Sequence, residues 1–121
     1  MRTQLPTQTD LAAFLHEGET VRHVFMACDY NTTTYEGGST RIVAVTDPWI
    51  VVLFGGVWHR TVPQKLAERR RPTELRDPDA VWPGTSLYGE EWGQVMSGLW
   101  AHVKYRDVVD KARKRILWLY S

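Results

Sequence analysis

Cysteine is almost missing from this chain: Cys28 is the only one. No intrachain disulfide forms, and no thiolate cluster is on offer to a metal. That usage fits a reducing compartment. Long hydrophobic runs are missing too. The longest, WIVVLF at 49–54, is far short of the ~20 residues that a helix needs to cross a bilayer. Neither charge sign is in real excess, with 15 Lys and Arg against 14 Asp and Glu. No global field therefore marks the chain for nucleic acid or an anionic membrane. The opening residues, MRTQLPTQTDLAAFLHEGE, lack the apolar stretch of a secretory leader, so the expected location is cytoplasmic. Internal repeats and low-complexity tracts are absent.

What the chain does contain is enough apolar and aromatic material for one core: 43% of its 121 residues are hydrophobic and 12% aromatic. That length suits one domain, not two. An N-terminal helical segment is expected at 8–17. Thr9 or Asp10 would cap it, Leu11, Phe14 and Leu15 would form its apolar stripe, and Gly18 would end it. VRHVFMAC at 21–28 reads as a strand. DYNTTTYEGGST at 29–40 reads as a polar loop bent at Gly37-Gly38. RIVAVTDPWIVVLFGGVW at 41–58 reads as a β-meander. Its strands are expected at 41–46, 49–54 and 57–62, with a turn at Asp47-Pro48 and a hairpin at Gly55-Gly56. PQKLAERRR at 63–71 suits a helical turn or an extended edge, and 71–84 has the composition of a loop.

A second hairpin is expected from 90–96 and 99–105, joined by Ser97-Gly98. The period then changes. Tyr105, Val108, Val109, Ala112, Ile116, Leu119 and Tyr120 recur at three and four residues, the spacing of one helical face. The connections between strands are too short for parallel crossovers, so the sheet is antiparallel. The fold class expected is α+β: a curved antiparallel sheet or partly closed barrel over 21–105, between a short N-terminal helix and an amphipathic C-terminal helix at 106–120.

The ribbon at 41–54 does not alternate. A strand with one solvated face should, so both of its faces must be covered. One meets the core. The other needs the helix carrying Leu11 to Leu15, the loop carrying Trp82, or a second protein molecule.

Three strings, in order along the chain, resemble bacterial pleckstrin-homology-like (PH-like) domains of short actinobacterial proteins: FLHEGETVRHVF at 14–25, RIVAVTD at 41–47 and LWAHVKYRDVVDKA at 99–112. They are packing and turn patterns, so the resemblance implies a fold more than an activity. The Trp- and Arg-rich character would also suit a gene of an actinobacterial phage. The chain departs from that pattern in its short polar loop at 31–40 and in Pro48 and Trp49, which replace an arginine-rich turn.

No catalytic constellation is legible. His16, His23, His59 and His102 have no metal-ligand spacing, and no serine sits in a nucleophile elbow. Cys28 lies in an apolar strand beside Asp29, which would raise its pKa. Glu90 and Glu91 are adjacent in a strand and point to opposite faces. The glycine pairs open no helix with Lys-Ser/Thr behind them. The expectation is therefore a non-enzymatic chain with no cofactor and no metal. The candidate partner-binding residues are two basic clusters, Lys65, Arg69, Arg70 and Arg71 after the meander and Lys111, Lys114 and Arg115 (with Arg113) on the last helix, together with Trp82. Most of the six tryptophans should pack in the core. Trp82 lies in a Pro-rich loop, where it either folds back over the barrel or anchors a partner. The function expected is protein–protein interaction or assembly, with self-association through the apolar outer face. The alternative is an anionic small ligand or lipid headgroup, and less readily a nucleic acid, held by the basic residues.

Overall fold

The computed structural model describes residues 4–29, 40–56, 59–87 and 89–120. The Gly37-Gly38 bend and the start of the strand expected at 57–62 lie outside them.

The fold begins at a capping box. The Thr7 hydroxyl accepts from the Asp10 N–H, and the Asp10 carboxylate accepts from the Thr7 N–H. The cap is thus two residues before Thr9 and three before Asp10, the two caps expected. It starts a single turn, α1 (Gln8–Leu11), which tightens into a 3₁₀ turn at Ala12–Phe14. Seven antiparallel strands follow: β1 (Val21–Cys28), β2 (Thr40–Thr46), β3 (Ile50–Gly55), β4 (Pro63–Arg70), β5 (Thr85–Leu87), β6 (Glu90–Met96) and β7 (Leu99–His102). Between β4 and β5 lie a 3₁₀ turn at Pro72–Glu74 and the short helix α2 (Pro78–Val81). A 3₁₀ turn at Val103–Tyr105 leads into α3 (Arg106–Tyr120).

The third meander strand is displaced. Residues 59–62 form a turn, closed by the Val62 N–H on the His59 carbonyl (3.0 Å), and pairing with β3 starts only at Pro63. The loop's backbone packs on β3: a Cβ at Gly55 would collide with the Arg60 carbonyl, so the glycine pair belongs to a longer loop than a two-residue hairpin. The polar stretch PQKLAERR is the extended edge.

The strand order is β4-β3-β2-β1-β7-β6-β5. Its two ends, β4 and β5, are not paired to each other, so the partly closed barrel expected from the strand pattern is instead an open sheet. The prolines at 72, 78 and 83 explain this. They turn the chain after β4 into short helical pieces where a closing strand would have to run. The sheet is nonetheless strongly bent. Arg70 on β4 donates to the Ser97 carbonyl at the β6–β7 turn (2.6 Å). In a flat sheet, strands spaced about 4.8 Å apart would put those points roughly 20 Å from each other, far beyond the span of one side chain.

Bending creates an inner face, where Phe25, Val43, Val45, Ile50, Val52, Val95 and Ala101 pack with Leu75, Trp82 and the Val109, Ala112 and Ile116 stripe of α3. The outer face of the same strands carries Ile42, Ala44, Val51 and Leu53, covered by Leu11, Phe14, Leu15 and Trp49. The non-alternating ribbon is therefore buried on both sides. Its second cover is the N-terminal segment, so the apolar outer face does not remain open for a second molecule.

Candidate functional site

Two carboxylates organise one end of the molecule. Glu19 follows Gly18, whose φ of +79° gives the turn that a side chain would strain. The turn aims Glu19 at the sheet, where its side chain is 2% exposed. Its carboxylate accepts from both terminal nitrogens of Arg69 (3.0 and 3.1 Å), from the Thr46 hydroxyl (2.8 Å) and from the His16 N–H (2.9 Å). Burial alone would raise its pKa, but those donors outweigh it and hold the carboxyl below its ordinary value. Arg69 also donates to the Phe14 carbonyl (3.0 Å). The cluster fastens the N-terminal cover to β2 and β4, and every oxygen in it is spent.

Asp47, at the β2–β3 turn, accepts from Arg115 Nε and Nη2 on α3 (2.6 and 3.0 Å) and from Arg22 on β1 (3.2 Å). The Arg115 bond is the main reason its carboxyl lies below the ordinary range, and Arg22 adds to it against some burial. The Tyr120 hydroxyl donates to the Asp47 carbonyl (2.7 Å), which ties the last turn of α3 to the same point. His23 lies nearby. Its pKa is lowered, first by burial and then by the positive charges of Arg115, Lys111 and Arg22.

Between the two carboxylates lies an open cleft of about 340 Å³, lined by His16, Glu17, Thr20, Arg22, Asp47 and Pro48 among others. Its charged groups pair with one another or face solvent. No group of three or more His, Cys, Asp or Glu that could hold a metal occurs among the described residues.

The structure does not bring the sequence-derived candidates together. Arg69 is consumed by Glu19. Arg70 binds the Ser97 carbonyl and Glu68 (3.0 Å), and Arg115 is consumed by Asp47. Arg71 lies at the far end of β4, where its N–H is capped by Glu74. Lys65 is exposed on β4, with its ammonium 5.2 Å from the Phe54 ring centroid. Lys111 and Lys114 are exposed on α3, and Lys114 pairs with Asp110 one turn back (3.1 Å). Trp82 is 1% exposed and packs in the inner core, so it covers the bent sheet and presents nothing to a partner.

Trp118, one of six tryptophans of which most are expected to pack inside, is 73% exposed; Leu117 (53%) and Tyr120 (51%) are exposed beside it. The periodicity that buries Val109, Ala112 and Ile116 would also bury Leu119 and Tyr120, but α3 outruns the sheet at Ile116. Sequence reasoning missed this overhang, along with Glu19, Asp47 and Arg22. Only the unbroken run ILWLY at 116–120 signals it, because five consecutive apolar residues cannot all face one core.

No family model, curated protein or solved structure matches the chain. No described helix is long and apolar enough to cross a membrane.

Proposed function

We propose that this chain is a non-enzymatic, cytoplasmic binding module on a PH-like scaffold, and that its partner is another protein docking along β4. The order of antiparallel strands followed by a closing helix supports the PH-like reading. One observation carries the docking reading. β4 is an edge strand that no other described strand pairs on its outer side, and it presents Leu66 with Val62 just before it, both exposed apolar residues. Exposed strand edges accept partner segments by backbone pairing and side-chain contact.

The same edge carries features that discourage backbone pairing with any chain: Pro63, Lys65, Glu68 and two register shifts against β3. Contact through the exposed Val62 and Leu66 side chains therefore suits it better than strand addition. The test is affinity capture from the source cell with the native chain and with Val62→Glu/Leu66→Glu, alongside light scattering. A partner retained by the native chain and lost by the folded variant supports the reading. Equal retention, or a native dimer, contradicts it. The anionic-ligand reading is favoured by a separate observation at the end of α3.

A further inference from the structure

We infer that the overhanging last turn of α3 is an anchor for an anionic lipid bilayer surface, with Leu117, Trp118 and Tyr120 entering the interface and Lys111 and Lys114 meeting the headgroups. This goes beyond the β4 reading and does not depend on it, because the two surfaces share no residue.

The shape argues for a bilayer. Successive residues on a helix are about 100° apart, so 117–120 point to every side of the axis. A flat protein surface could cover one or two of them. A bilayer interface receives every exposed side of such a turn, leaving only the side that the Tyr120 hydroxyl fixes to Asp47, and aromatic residues with one polar atom are the ones that settle at that depth. The turn is held in place before any contact is made, by Arg115 and the Tyr120 hydroxyl on Asp47. Less ordering entropy is then lost on binding.

The charges agree. α3 opens on Arg106, which pairs with Asp79; beyond it Asp107 and Asp110 precede Lys111, Arg113, Lys114 and Arg115. Lys114 sits one turn before Trp118, about 6 Å along the axis, the offset at which an ammonium reaches phosphate while the indole lies at the interface. Arg22 and Arg115 share the carboxylate of Asp47 beside the overhang and Glu17 lines the same cleft, so the positive charge offered to headgroups rests on Lys111 and Lys114. The His23 pKa is depressed first by burial, and Arg115, Lys111 and Arg22 add to this against Asp47. The net charge of the whole chain is +1, so the field is local, not global. An anionic lipid is required because an apolar turn this small does not hold a protein on a neutral membrane by itself.

The experiment is vesicle co-sedimentation of the full chain, using phosphatidylcholine with and without phosphatidylserine at low and high salt. The native chain should bind the anionic vesicles, bind neutral ones poorly and lose binding at high salt. Lys111→Glu/Lys114→Glu should weaken binding by roughly thirtyfold or more, at about 1 kcal/mol per charge brought near the surface. Leu117→Glu/Trp118→Glu should abolish it, while Val62→Glu/Leu66→Glu leaves it intact. Circular dichroism confirms that each variant is folded. Native binding equal on neutral and anionic vesicles, no binding at all, or full binding by the folded Leu117→Glu/Trp118→Glu variant would overturn the inference.

Discussion

Arg115 Nε and Nη2 donate to the two carboxylate oxygens of Asp47 across 68 residues of sequence, and this pair fixes where α3 ends relative to the β2–β3 turn. Asp47→Ala should therefore loosen the overhang more than it destabilises the fold. The pair is about one-third exposed on each side, so solvent screening keeps its contribution small. A small drop in urea-unfolding free energy, with faster amide exchange at 117–120 and none in β2, is the expected outcome.

Glu19 and Arg69 should behave differently. Glu19→Ala leaves a mostly buried guanidinium with only the Phe14 carbonyl and should cost about 3 kcal/mol. Replacing both partners, as Glu19→Leu/Arg69→Met, should recover most of that loss, because apolar residues need no compensating charge in the same space. Denaturant unfolding of the two singles and the double measures the coupling. Additive losses would show that the pair is not linked.

The pH dependence follows from three groups. Glu19 and Asp47 are held below ordinary carboxylate values, so the unfolded chain binds more protons than the folded one in acid. Their stabilisation is complete above the unfolded carboxylate pKa and is lost as pH falls through the lowered folded values. His23, depressed by burial and by Arg115, Lys111 and Arg22, has the same sign but acts earlier. Stability should begin to fall once pH drops below about 6.5, the ordinary histidine value. His23→Gln should flatten that first decline in thermal melts and leave the acid limb unchanged.

Much of the fold was legible in local pattern. VRHVFMAC is β1 over the range that its composition suggests, and the unbroken apolar ribbon correctly required two covers. β4 was hard to read because an edge strand is half solvated. PQKLAERR buries little, and its composition suits a helix as well as a strand. The organising pairs were not legible at all. Glu19–Arg69 and Asp47–Arg115 join residues 50 and 68 positions apart, and nothing near either partner marks it. Clustering in sequence misled instead: Arg69, Arg70 and Arg71 are neighbours in the chain, but alternate strand residues send Arg69 to the outer face and Arg70 to the inner one.

Trp82 should prove structural. Its indole fills the inner core beside Gly93, where a Cβ would overlap the Val81 side chain. Trp82→Ala should cost about 3–5 kcal/mol through the cavity it leaves. Gly93→Ala should also destabilise, by forcing Val81 and Trp82 apart. Thermal melts of both variants check this, and near-native melting of either would place Trp82 outside the core.

Two sets of residues divide the molecule: Glu19, Arg69, Asp47 and Arg115 hold the fold, while Lys111, Lys114 and Leu117 face outward for contact. The most direct measurement is the urea-unfolding free energy of Lys111→Glu/Lys114→Glu/Leu117→Glu. It should lie within about 1 kcal/mol of the native chain, as expected for solvent-facing substitutions. A loss comparable to that of Glu19→Ala would mean that this face belongs to the fold and is not a contact surface.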